Sequence, residues 1–325
     1  MSGLSITVCS FYLTKRNAKK NKNVYSLNKP IKYKDSDENE VETNIFDILQ
    51  GFATQYATPI NDESKKKTFS CQYIETKDTD KFILHTYQIV SGYYGSASTI
   101  VDAETRVIKY DMTPSDVAEK KYYVYVIIPK DNRKVIVNKG MMIFQNIGIF
   151  GIKTITCDHL GKYIAENYDI TLKCATVSPE LFIKKVLVKE NLKKMILIKN
   201  YKSTDPTDQY YTGYGSECRI LSNFCFDDTK WNNILSGIKS MVSGKSHLFE
   251  IENIQYDNLK LEVFIGERKR TINLLNIDNL SIIEPIPDTI MDNSGYADLT
   301  KLNDHVILTA NEYLKEMVLH IKSGG

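Results

Sequence analysis

Apolar residues change their spacing several times along this chain, and each spacing predicts an element. Ser5 to Leu13 is rich in apolar and β-branched side chains and predicts a first strand. Ile45, Phe46, Ile48, Leu49 and Phe52 recur at helical intervals, predicting a helix capped by Thr43 and running to about Tyr56. Asn61 to Lys67 reads as a charged surface turn. Phe69 to Ile74 and Phe82 to Ser91 read as an antiparallel pair closed by the turn Lys77-Asp78-Thr79-Asp80. A second hairpin is expected from Ser98 to Val101 and Arg106 to Met112. Thr113-Pro114 then marks the start of a short helix ending near Lys120.

Tyr122 to Ile128 is continuous in Val, Ile and Tyr, the pattern of a strand covered on both faces. Met141 to Thr156 carries further strand, broken by Gly148 and Gly151, and Asp158 is placed to cap a helix from His159 to Asn167. A strand follows at Ile170 to Val177, a helix from Ser178-Pro179 to about Glu190, and a strand at Met195 to Lys199. The order between Lys121 and Lys199 suggests one α/β unit. Ser203 to Ser216 has no periodicity and reads as a loop or linker. Beyond it come a helix from Asp228 to Ser243 and a meander of strands at His247 to Tyr256, Leu259 to Gly266 and Arg270 to Leu275. A last helix, from about Thr300 to Lys322, places Leu302, Val306, Leu308, Tyr313, Met317, Val318 and Ile321 on one broad face.

The sum is an α+β fold of mixed, mostly antiparallel sheets with flanking helices and a long C-terminal amphipathic helix. The expected division is a sheet-rich part, residues 1–202, and a smaller α+β part, residues 203–325. The last helix is long enough to pack on its own sheet or across a two-fold axis, so a homo-oligomer is expected.

Composition adds bounds. Hydrophobic residues at 42% and charged ones at 25% match an ordinary packed domain. The longest apolar runs fall short of the ~20 residues of a spanning helix, so no membrane insertion is expected. Cys9 to Leu13 is followed at once by Lys15 and Arg16, which leaves no signal-like stretch, and a cytoplasmic location is expected. Six cysteines, at 9, 71, 157, 174, 218 and 225, form no C-x-x-C pair and read as reduced, small apolar residues.

A formal net charge of +2 supplies no global field, but the basic residues cluster. Lys184, Lys185, Lys189, Lys193, Lys194 and Lys199 are opposed locally by Glu190 alone, and Arg268-Lys269-Arg270 lies at a hairpin tip. Such groups can track a phosphate backbone; a solvated helix face and a soluble sheet end are the plain alternatives. Tyr210, Tyr211 and Tyr214 lie on a glycine-marked loop, where aromatics can stack on unpaired bases. Glu75-Thr76-Lys77 has the form of a metal-dependent nuclease strand. That chemistry needs a second carboxylate, Asp62 or Glu63, to converge on one Mg²⁺; no other cofactor is expected. The five histidines show no two-histidine metal spacing, and Gly148 and Gly151 fit neither a dinucleotide fingerprint nor a P-loop. Those glycines mark either a bulged core strand pair or a site rim supplied by Lys139, Gln145, Lys153 and Thr154.

The segment Ile149-Phe150-Gly151-Ile152-Lys153-Thr154, followed by Asp158 opening a short helix, resembles a stretch of the lambda RexA-type phage-exclusion and related prokaryotic abortive-infection proteins. The likeness is confined to Lys139 to Asn167. It implies a cytosolic, dimeric, two-domain protein that binds duplex DNA without sequence preference, and it carries over no catalytic residue. The resulting expectation is a non-enzymatic nucleic-acid-binding protein of an antiviral defence or regulatory system. A metal-dependent nuclease using Glu75 and Lys77, and a protein-binding subunit of a larger defence complex, are the alternatives.

Overall fold

Strand β1 (Leu4–Lys15) is buried along almost its whole length, as a strand rich in Ile, Val, Phe and Leu on both faces must be. The computed structural model describes residues 3–16, 23–34, 37–130, 137–148, 150–175, 177, 192–202, 214–222, 228–242, 248–251, 254–265, 268–274, 282–292 and 294–317. After β1 come β2 (Ile31–Lys34), β3 (Glu40–Thr43), helix α1 (Ile45–Gln55), β4 (Ile60–Asp62), β5 (Lys67–Asp78) and β6 (Phe82–Ser91). Then follow β7 (Ser98–Val101), β8 (Ile108–Met112), β9 (Lys120–Pro129), β10 (Gly140–Ile147), β11 (Phe150–Gly151), α2 (Lys153–Tyr168) and β12 (Ile170–Ala175). The remainder is β13 (Leu192–Lys202), β14 (Tyr214–Ser222), α3 (Asp228–Val242), β15 (Phe249–Ile251), β16 (Ile254–Tyr256), β17 (Asn258–Ile265), β18 (Arg268–Asn273), β19 (Ile282–Pro285) and α4 (Leu299–Glu316). The fold is α+β, with mostly antiparallel sheets and a C-terminal helix. Among the described residues, no helix is long and apolar enough to cross a membrane.

The chain forms two units, Met1–Cys174 with Pro285–Gly325, and Ala175–Glu284. This differs from a division after Lys202. That residue ends β13, which pairs with β14 from Lys194↔Ser222 to Lys202↔Tyr214, so a boundary there would cut a ladder. The expected α/β unit from Lys121 to Lys199 is likewise split, because β12 belongs to the first sheet and β13 to another.

The first unit is built on a sheet of order β12-β1-β10-β9-β6-β5-β4, with β11 on β10 and β19, where the chain returns, on β1. One face is covered by α1 and α2: Leu49 and Phe52 meet Leu160 over Cys71, Tyr87, Val124, Val126 and Met142. On the other face α4 reaches β5, where the Asn303 side chain donates to Glu75. Leu302, Val306, Ala310 and Tyr313 of α4 are fully buried, whereas Leu308 is 71% exposed. Leu308 follows Val306 by two positions, about 200° around a helix, and so leaves the buried face. Val318 and Ile321 lie outside the described residues.

Local chemistry moved several boundaries. The cap of α1 is Asn44, whose Oδ1 accepts from the Asp47 N–H at 2.9 Å, while Thr43 is held in β3 opposite Ile31. No helix follows Thr113, because the Asp116 carboxylate takes both its N–H (2.7 Å) and its hydroxyl (2.9 Å) and closes a turn. Gly148 turns the chain at φ 58°, β11 pairs back on β10, and α2 begins at Lys153, within the expected strand. Its buried side, Ile155, Thr156, Leu160, Tyr163 and Ile164, has helical spacing throughout. Asp158 therefore lies inside α2 and caps nothing. The helix expected from Ser178 lies outside the described residues, as do residues 203–213 of the expected linker, and its last residues, from Tyr214, are strand β14.

The second unit has an antiparallel sheet of order β14-β13-β17-β18, a separate pair β15-β16, and α3, whose Ile234 and Ile238 are buried.

Candidate ligand-binding cleft

Beta-strand β5 contains the feature that creates the site. Tyr73 pairs with Tyr87, but Glu75 pairs with Thr86, so Ile74 is an extra residue in the ladder. Strict alternation would put Tyr73, Glu75 and Lys77 on one face. The bulge instead puts Tyr73 with Thr76 and Asp78, facing α1, and turns Glu75 and Lys77 toward α4.

Thr76 lies directly across the ladder from His85 of β6, and its Oγ1 is 2.8 Å from His85 Nδ1. The Tyr73 hydroxyl donates to Thr76 Oγ1 at 2.9 Å, which leaves the threonine hydroxyl to donate to Nδ1. The imidazole is then the tautomer with its proton on Nε2. Phe46, in the first turn of α1, stacks on the ring with centroids 4.8 Å apart and planes at 26°. His85 is 4% exposed, and burial pushes its pKa down to about 4, so it is neutral around pH 7.

Around this chain opens a cleft of about 810 Å³. Its apolar wall comes from Leu27, Ile45, Phe46, Ile83, Ile128 and Pro129, and polar side chains including Asn28, Asn44, Thr76 and His85 are interspersed with it. At the mouth Lys130 is ion-paired with Asp78 and donates to the Thr79 carbonyl at 2.8 Å. Lys29, also at the mouth, is exposed and has no ion pair among the described residues. The arrangement is suited to binding: His85 Nε2 makes no hydrogen bond to a described residue and is a donor beside an apolar volume.

The residues singled out by pattern lie elsewhere. Glu75 Oε1 accepts from Asn303 Nδ2 at 2.6 Å and lies 3.6 Å from Lys77 Nζ. Asp62 pairs in register with Lys67, eight positions from Glu75 and so about 26 Å along the strand. Glu63 is bound to Lys66 at 2.7 Å. The carboxylates needed for a shared Mg²⁺ are therefore not brought together. No group of three metal-ligating side chains occurs among the described residues.

Lys194 pairs with Glu262 at 3.9 Å, and Lys199 sits across the ladder from Glu217. Five positions separate these two lysines on β13, which directs them to opposite faces. Lys193 occupies the bulge between Leu192 and Lys194. The pattern's single stripe is thus divided, and Lys184, Lys185 and Lys189 lie outside the described residues, as do Tyr210 and Tyr211. Arg268, Lys269 and Arg270 open β18 opposite Ile265, Phe264 and Val263, beside the hairpin turn as expected.

Strand β10 of the glycine-marked stretch is core, whereas Gly148 and Gly151 lie on the more exposed turn and β11. Gly140 lies where a Cβ would be 2.4 Å from the Phe11 ring, and buried Gln145 accepts from the Tyr123 N–H at 2.9 Å. Lys153 and Thr154 begin α2.

No family model, curated protein or solved structure matches the chain. Of the segment resembling RexA-type proteins, the described part is β11 followed by the first turns of α2, and Asp158 belongs to the second turn of that helix.

Sequence reasoning missed Tyr73, Thr76 and His85. The signal was the β5–β6 hairpin itself. A turn at 77–80 would pair Thr76 with Lys81, whereas the tighter connection between Asp78 and Phe82 pairs it with His85.

Proposed function

We propose that the chain is a small-molecule-binding protein whose ligand occupies the cleft beside His85. The observation that carries this is the chain from Tyr73 through Thr76 to a neutral, buried His85, set beside the apolar side chains of Phe46, Ile83 and Ile128. A cleft of about 810 Å³ falls within the range of drug-sized ligand sites. The ligand has an apolar body, a hydrogen-bond acceptor for His85 Nε2, and an anionic group for Lys29 at the mouth. Anilinonaphthalene sulfonate, apolar and anionic, is a direct probe. Saturable fluorescence enhancement at one site per chain is expected, lost on filling the cleft by Ile83→Trp. No saturable binding, or equal binding by that variant, would overturn the proposal. Phosphate tracking by the lysines of β13 ranks behind this reading, since Glu262 and Glu217 face Lys194 and Lys199. A role in antiviral defence would follow only from the RexA-type resemblance.

A second reading, self-association, is favoured by the β7–β8 hairpin. Among the described residues it is a sheet of two strands whose outer edges have no strand neighbour, and it exposes Ile100, Val101, Val107, Ile108 and Tyr110. An isolated two-strand ribbon is marginal in water, and exposed apolar groups gathered in one place mark contact surfaces. Ile100 and Tyr110 are direct cross-strand partners, backed by the polar pair Thr99–Asp111. Arg106 and Lys109 nearly balance Asp102, Glu104 and Asp111, so a second copy of the chain can dock edge to edge without strong repulsion. Sedimentation should show a dimer that Ile108→Glu dissociates; a monomeric wild type would refute it.

A further inference from the structure

Three cysteines that are far apart in sequence meet in the first unit. Cys9 comes from β1, Cys157 from α2 and Cys174 from β12. The Cys157 and Cys174 sulfurs are 3.6 Å apart, and Cys9 lies on β1, the strand beside β12. Cys9 is fully buried, while residues Cys157 and Cys174 are half-buried. Three thiols in contact favour a single shared negative charge. It settles on Cys174, 3.6 Å from the Cys157 sulfur and with Lys153 nearby, and these neighbours hold its pKa far below that of an ordinary thiol. Interaction with that same anion, and then burial, push the other two up. A low-pKa thiolate beside a second thiol is the arrangement of an oxidation-sensitive pair, and neither group belongs to the cleft beside His85.

We propose that Cys174 is a hydroperoxide-reactive cysteine and that Cys157 resolves it into an intramolecular disulfide. The Cys174 thiolate attacks one oxygen of the hydroperoxide, the O–O bond breaks, and the departing alkoxide or hydroxide takes up a proton. Cys174 is now a sulfenic acid. Cys157 attacks its sulfur, the S–O bond breaks, and the hydroxyl leaves as water with the Cys157 proton. Two thiols and one hydroperoxide become one disulfide, one alcohol or water, and one further water. The sulfurs need to close by about 1.5 Å to reach bonding distance, within the reach of side-chain rotation. The product would tie α2 to β12 at Cys174, the last residue of the first unit's N-terminal segment.

The test is peroxide titration of the full chain, followed by alkylation and mass mapping without reduction. Exposed Cys218 serves as the internal reference. The expected result is a Cys157–Cys174 cross-link, forming at least about tenfold faster than oxidation of Cys218 at pH 6. In Cys157→Ser the sulfenic acid should persist on Cys174 and be trapped by dimedone. Oxidation of Cys218 first, a cross-link lacking Cys174, or a Cys9–Cys174 bond in place of Cys157–Cys174 would overturn the assignment. The wild-type map alone decides if the serine variant fails to fold.

Discussion

Two histidines sit near opposite ends of α1, both against phenylalanine rings and both with lowered pKa values, yet they do different things. His85 stacks on Phe46, is bound to a threonine hydroxyl, and borders a cleft of about 810 Å³. His159 packs on Phe69 at 4.6 Å and near Tyr56 at 5.3 Å, and its Nε2 lies 3.3 Å from Asp62 Oδ2 without the alignment of a hydrogen bond. Asp62 is itself saturated. It accepts from the Ser64 hydroxyl at 2.5 Å and the Lys65 N–H at 3.1 Å, and pairs with Lys65 Nζ at 3.2 Å. Ser64 thus donates to the acid and not to the histidine, which is the wrong order for a nucleophile and its base. One histidine borders an open cleft, and the other is enclosed by the chain's own aromatic and charged groups. A lowered pKa alone does not mark a site; unspent hydrogen-bonding capacity beside open volume does.

The largest expected contrast is in packing. Phe69 is fully buried among Phe52, Tyr56 and His159, and Phe69→Ala should cost about 3–5 kcal/mol in urea unfolding. Phe46 is only half-buried at the cleft, and Phe46→Ala should cost clearly less. Equal losses would mean that the two ends are packed alike and would weaken the cleft as a site.

Proton linkage separates the regions by pH. The unfolded chain binds a proton at His85 near pH 6.5, while the folded chain resists until about pH 4. Stability should therefore fall as pH drops through that window, by about 3 kcal/mol, and level off below it. His85→Gln should flatten this part of the profile. An unchanged slope would show that His85 is freely hydrated.

Asp62 acts lower on the scale. The Ser64 hydroxyl and Lys65 hold its pKa at about 2, so its contribution is present above the ordinary carboxylate value and is lost as pH falls from about 4 toward 2. Asp62→Asn should remove about 1 kcal/mol at neutral pH, after allowance for the water around its charge, and abolish that acid limb. The smallest effect belongs to Lys65, which bridges Asp62 and Asp158 at the surface. Lys65→Met should cost under about 1 kcal/mol at low salt and nearly nothing at high salt. A large salt-independent loss would place the lysine deeper in the structure than its contacts suggest.

Local periodicity by itself determined the α+β class, the strands β1, β6, β7 and β9, and the helices α1, α3 and α4, because alternation and the 3.6-residue repeat are properties of short segments. It also located the β5–β6 and β7–β8 hairpins. Tertiary structure decided everything on which the candidate sites depend. The bulge at Ile74 re-aims Tyr73 and separates it from Glu75, and no apolar pattern announces one extra residue in a ladder. The return of the C-terminal helix to the first unit closes a separation of 228 residues between Asn303 and Glu75. Cys9, Cys157 and Cys174 read as isolated residues because their meeting depends on strand order, which short-range spacing does not encode. Pattern reports which face of each element is apolar, whereas a cleft or a thiol cluster exists only where several elements are brought together.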